Sequence, residues 1–168
     1  TALLTILLNA ILLRAAPRWL AGRERADLAS ARHLDESRET PRGHVILCGF
    51  GPLGSAVGEA LETFKIPFLV VETDPDAIRG LAGRGIPSLY GDAQQERILE
   101  HAGLARAVAL IVTLTEADAT YGIVRTARGM HREVPILARA GSPEEQRRLR
   151  AAGATGVVQP RLEGAAYL

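Results

Sequence analysis

A doubly wound α/β domain with a parallel sheet is the fold class this sequence predicts, and three observations carry the expectation. From residue 44 onward, apolar runs of strand length alternate with helical patterns. Most of those runs are apolar without alternation, as strands covered on both faces must be. The connections are short, and alternating strand and helix with short connections implies right-handed crossovers.

The strands are placed near 44–48, 67–72, 86–90, 107–113, 134–139 and 156–159. After the first strand, Leu53, Val57, Leu61 and Phe64 form one apolar stripe at helical spacing, with Ala56 and Ala60 beside it. Asp74-Pro75 supplies an N-cap followed by proline at the first helical position, and Ser142-Pro143-Glu144-Glu145 does the same with a capping-box glutamate. Gly83, Gly103 and Gly153 stand where helices should stop. The unit beginning at Val45 is echoed by another near Val108, so the expected strand order is 3-2-1-4-5-6. In that order the ligand crevice lies between strands 1 and 4, at their carboxyl ends.

The hexapeptide Gly49-Phe50-Gly51-Pro52-Leu53-Gly54 occupies that end of the first strand. Gly49 permits the tight turn, Gly51 leaves no side chain between backbone and a pyrophosphate, and Gly54 lets the helix pack on the strand. The helix start would present free N–H groups and a partial positive charge to a phosphate. Alone the motif is weak, because a tight turn needs glycine for steric reasons. The second signal is Glu72, 18 residues after Gly54 at the tip of the second strand. A carboxylate there is placed to accept the hydroxyls of an adenosine ribose.

Other residues on the same sheet edge have both a ligand reading and a structural one. Thr113 and Thr115 leave strand 4 opposite the glycine turn, and Thr115 is equally a helix N-cap. Asp92, in Gly91-Asp92-Ala93, is either a cap or a ligand contact, and Asp74 is a cap before it is a ribose contact. Arg139 closes strand 5, where a guanidinium pairs with phosphate or with a surface carboxylate.

Composition narrows the function classes. The net charge of +1 argues against a nucleic-acid binder, which needs clustered basic surface. Cys48 is the only cysteine, which excludes disulfides and cysteine metal sites within one chain, and it reads as a small buried hydrophobe. His33, His44, His101 and His131 are dispersed without metal-ligand spacing, so no metal is assigned. Tyr121 is followed four residues later by Arg125, so the tyrosine–lysine spacing used for carbonyl reduction is not met. A nucleotide site without proton-transfer groups suggests sensing rather than catalysis.

Thr1–Leu13 is almost wholly apolar and would span about 20 Å as a helix, short of a ~30 Å hydrocarbon core. Residues 1–20 therefore read as the end of a longer transmembrane helix, with a secretory signal as the competing reading. Arg14, Arg18, Arg23 and Arg25 would put the remainder of the chain in the cytoplasm. Residues 21–43 are dense in alternating charge and read as a linker. Residues 44–160 are the expected domain, and 161–168 the expected start of a C-terminal helix.

The chain resembles the nucleotide-binding Trk-type N-terminal family, also called the regulator of potassium conductance (RCK) domain, over about residues 43–160. The resemblance rests on Val45–Gly54, on Val70-Val71-Glu72-Thr73-Asp74-Pro75, on Gly91-Asp92-Ala93 with Leu99 and Ala102-Gly103, on Val112-Thr113-Leu114, and on Leu137-Ala138-Arg139-Ala140. With a membrane helix and charged linker ahead, the arrangement looks like the tail of a Kef-type monovalent cation:proton antiporter. It implies a Rossmann-type fold binding NAD(H), or in relatives AMP or ATP, together with dimerisation and control of a potassium or sodium pathway in the membrane domain of the parent polypeptide. It further implies phosphate contacts from Gly49, Gly51 and Leu53 and a ribose contact from Glu72, with Phe50, Pro52 and Gly54 of the same turn and Thr73 and Asp74 beside Glu72 completing the cofactor-binding set. Asp92 and Ala93 would lie on the adenine side, and Thr113 and Arg139 on the remaining phosphate or second nucleoside. Many members carry arginine where this chain has Pro52, which removes one phosphate partner. Many carry aspartate where it has Glu72, which preserves the preference against a 2′-phosphate. A potassium-channel tail and a soluble NAD-dependent oxidoreductase are the alternative readings.

Overall fold

The computed structural model describes residues 43–159. The expected transmembrane segment, nearly all of the linker and the expected C-terminal helix lie outside these residues. Among the described residues no helix is long and apolar enough to cross a membrane.

The elements follow the order β1 (Val45–Cys48), α1 (Pro52–Thr63), β2 (Phe68–Glu72), α2 (Pro75–Gly83), β3 (Ser88–Tyr90), α3 (Glu96–His101), a 3-10 turn (Leu104–Arg106), β4 (Ala109–Val112), α4 (Ala117–Met130), β5 (Ile136–Arg139), α5 (Pro143–Ala151) and β6 (Gly156–Val158). All strand pairs are parallel, and the sheet order is β3-β2-β1-β4-β5-β6, as the sequence predicts. Each strand is somewhat shorter than its apolar run, because flanking residues such as Ile66, Ile86 and Val134 are buried outside the ladder.

Alternate residues of the central strands feed two cores, as the pleat requires. Val45, Leu47, Val70 and Ile111 face Val57 and Leu61 of α1 and Leu81 of α2. Ile46, Cys48, Leu110 and Val112 face Leu99 of α3 and Ile123, Val124 and Ala127 of α4. Burial on both faces explains the absence of polar alternation in β1 and β4.

The expected caps divide into those that form and those that move. Asp74 accepts the Asp76 amide at 2.8 Å and caps α2. Ser142 accepts the Glu145 amide at 3.1 Å, and Glu145 reaches back to the Gly141 amide at 2.7 Å, one residue short of a reciprocal box. Gly103 and Gly153 end their helices with φ of +76° and +105°, whereas Gly83 remains within α2 and Gly85 takes the left-handed conformation at +71°. Asp92 and Thr115 do not cap: the N-caps of α3 and α4 are Gln95 and Glu116.

Candidate functional site: a glycine-turn crevice at the carboxyl edge of the sheet

The site is assembled where β1, β2, β3 and β4 end side by side. Gly49 leaves β1 with φ +89°, a backbone conformation that favours glycine. A Cβ on Gly49 would lie 2.9 Å from Leu114 Cδ2, and one on Gly54 would lie 2.2 Å from the Gly49 carbonyl oxygen. The protein's own packing therefore demands glycine at both positions. Gly51 differs: a Cβ there meets nothing within 4 Å, and its φ of −69° suits any residue. What Gly51 keeps clear is open space in front of the turn.

Gly51 is also the N-cap of α1, and no side chain caps it. Pro52 removes one amide from the first turn, leaving the later ones and the helix dipole directed at the open side.

Across the crevice Glu72 is bound to the turn. Its Oε2 accepts the Phe50 amide at 2.7 Å, while Oε1 accepts the amides of Thr73 at 2.6 Å and Asp74 at 3.0 Å. A half-buried carboxylate with three backbone donors is fixed in place at the carboxyl edge of the sheet. Thr113 closes the other flank. It is buried, and its hydroxyl donates toward the carbonyls of Gly49 at 2.9 Å and Cys48 at 3.1 Å, which holds the turn against β4.

Asp92 makes a tight turn, with Oδ1 accepting the Gln94 amide at 2.9 Å, and Ala93 is buried beneath it. Burial pushes the Cys48 thiol far above its ordinary pKa, and the charges of Glu72 and Asp92 push it further. The two carboxylates thus share one region at the β1–β2–β3 end. Arg139 stands on the opposite side, half-buried, donating to the Leu114 carbonyl at 3.4 Å. The crevice is accordingly acidic on its β2–β3 side and cationic at β5.

The turn, Glu72, Asp92, Thr113 and Arg139 all fall on the predicted edge. Sequence reasoning missed what Thr113 does there, since a hydroxyl that straps a turn looks the same in sequence as one that meets a ligand. It also missed Gln94, whose contact is with Gly122, remote in sequence, whereas Leu114 lies against Gly49 as its place at the end of strand 4 implies.

A parallel sheet in this order, crossed at its switch point by a glycine turn and an acidic strand tip, defines a Rossmann-type domain. The TrkA-N domain model matches residues 45–160, and the chain belongs to that family. The TrkA-N domain of the inner membrane protein YbaL from Escherichia coli superimposes with a TM-score of 0.69 at 34% identity, covering 71% of this chain and 88% of that one. The glutathione-regulated potassium-efflux system protein KefC of Cronobacter sakazakii is 34% identical over 143 residues, 84% of this chain and 23% of the relative. The Kef CTD of Shewanella denitrificans in its AMP-bound form gives a TM-score of 0.64 at 25% identity, covering 73% of this chain and 74% of that one. The chain spans less than a third of the length of the curated relatives it matches first.

Proposed function

We propose that residues 44–160 form a nucleotide-binding regulatory domain, cytoplasmic and dimeric, that controls a monovalent cation:proton antiporter of which it is the tail. The observation that carries the nucleotide half is the contrast among three glycines. Gly49 and Gly54 are required by the fold, while Gly51 guards space that no protein atom uses. A pyrophosphate or phosphate fills that space on the backbone of Gly51 and Leu53, and Glu72 takes the adenosine ribose hydroxyls. AMP, ATP and NAD(H) share this phosphate–ribose–adenine portion. NAD(H), expected from the family, would direct its second half toward Thr113 and Arg139. The AMP-bound relative supports an adenine nucleotide, and KefC supports a potassium-efflux pathway.

Control requires that the nucleotide bind two arrangements of the dimer with different affinity, the difference being relayed to the membrane helices. Calorimetric titration of NADH, NAD, AMP and ATP tests the first step, and the absence of any binding at millimolar concentration overturns it. Sedimentation with and without nucleotide tests the dimer, and cation flux through the parent protein in vesicles tests the control.

A further inference from the structure

Gln94 bridges the acidic corner of the crevice and helix α4. Its backbone amide bonds Asp92 Oδ1 at 2.9 Å, and its side-chain Nε2 lies 3.3 Å from Asp92 Oδ2. The adjacent carboxylate fixes the amide orientation, since only the NH₂ end can donate to it. The rest of the side chain lies in a notch on α4 that exists because residue 122 is glycine: a Cβ there would sit 2.5 Å from Gln94 Oε1, 3.1 Å from Cδ and 3.2 Å from Cγ. One turn further along α4, the Thr126 hydroxyl donates to the Gln94 carbonyl at 3.1 Å. Glycine inside a helix lowers helix stability relative to alanine, and no backbone angle demands it at 122. The bare position is explained by the side chain laid across it.

The geometry points to Gln94 as a positioning residue that sets the Asp92 carboxylate for the base side of a bound nucleotide and ties that corner to α4. This rests on the proposed nucleotide site, but the clamp itself is present without ligand. Movement of Asp92 on binding would then be felt on α4 at Gly122 and Thr126.

Two variants test it. Gln94→Met keeps the length, the apolar stem and the backbone amide bond to Asp92 Oδ1 but removes the side-chain bond to Oδ2, and Gly122→Ala displaces the far end of Gln94 while improving helix propensity. Both should weaken AMP binding about three- to tenfold, the range for the net loss of one ordinary hydrogen bond, since the lost bond acts on the nucleotide only through Asp92. Binding of ribose 5-phosphate, which lacks the base, should stay within twofold of wild type, whereas general damage to the fold would weaken both ligands. The double variant should be no weaker than either single, because both remove one contact. In the ligand-free protein, hydrogen exchange at the Gln94 and Gln95 amides should quicken in both variants. Unchanged AMP affinity in both, or unchanged exchange in both, overturns the clamp. Failure of the wild-type protein to bind any nucleotide instead sinks the nucleotide reading, and exchange alone then decides the clamp.

Discussion

The Glu72 carboxylate accepts the Phe50 amide at 2.7 Å, so the tip of β2 is latched to the glycine turn at the end of β1. The group proposed to meet a ribose therefore also holds the shape of the turn proposed to meet a phosphate.

This double duty makes Glu72→Gln informative. The amide keeps the length of the side chain but removes the charge that strengthens three backbone hydrogen bonds. NADH or AMP affinity should fall about 10- to 100-fold, and stability by about 1–2 kcal/mol. Wild-type protein should bind NADPH more weakly than NADH, because the carboxylate repels a 2′-phosphate, and the variant should lose most of that preference. Calorimetry with both dinucleotides and a thermal melt read all three effects.

Gly51→Ala and Gly54→Ala separate ligand from fold. Alanine at 51 meets no protein atom and needs no unusual φ, so the melting temperature should hold or rise slightly while phosphate-bearing ligands bind at least tenfold more weakly. Alanine at 54 would drive a Cβ to 2.2 Å from a backbone carbonyl, and should cost about 2–3 kcal/mol before any ligand is added. Equal loss of stability in the two variants would contradict the division of roles.

Local rules reached a good part of this molecule. The apolar runs of β1 and β4 showed a doubly covered sheet, and the glycine turn and Glu72 fall together at one sheet edge as their positions in sequence imply. Caps written into neighbouring residues, Asp74 with Asp76 and Ser142 with Glu145, were legible because both partners sit within one turn. Contacts that close over distance were legible only as far as the strand order reached, which placed Thr113 opposite the glycine turn but gave neither its bond to the Gly49 carbonyl nor any contact of Gln94. Thr113 meets Gly49 across 64 residues, and Gln94 reaches Thr126 across 32. Only the pairing of β4 beside β1 and the packing of α4 on the sheet bring such residues together. α2 does stop at Gly83, but the left-handed residue beyond it is Gly85, because glycines stand on both sides of the C-cap Arg84 and spacing alone does not choose between them.

Cys48 should be inert in the folded protein. It is 1% exposed in the core beside β4, and its thiol is held protonated by burial and then by the charges of Glu72 and Asp92. Since the thiolate is the reactive form, a thiol reagent at pH 8 should label Cys48 only as fast as the protein unfolds, and rapidly in denaturant. Fast labelling under native conditions would mean that the β1 end of the crevice opens.

Arg128 is the strap of the opposite end of the molecule. From the last turn of α4 its Nε and Nη2 donate to the Gly153 carbonyl at 3.1 and 2.8 Å, Nη2 also lies 3.3 Å from Thr155 Oγ1, and Nη1 donates to the His131 and Arg132 carbonyls. Thr155 in turn accepts the Ile136 amide at 3.1 Å, so the guanidinium joins α4 to the connection that positions β6 beside β5. Its positive charge also faces the carbonyl end of the α4 dipole. Burial lowers the pKa of Arg128, and the nearby Glu133 charge opposes that shift. Lysine cannot reproduce a planar fork reaching carbonyls on two segments, so Arg128→Lys should destabilise by about 1–3 kcal/mol and Arg128→Met by about 2–4 kcal/mol. The lost contacts lie at the ends of α4 and α5, at a distance in the fold from Gly51 and Glu72. Below the melting transition, nucleotide affinity should therefore remain within twofold of wild type. A parallel loss of affinity would show that β6 and the crevice are coupled through the sheet.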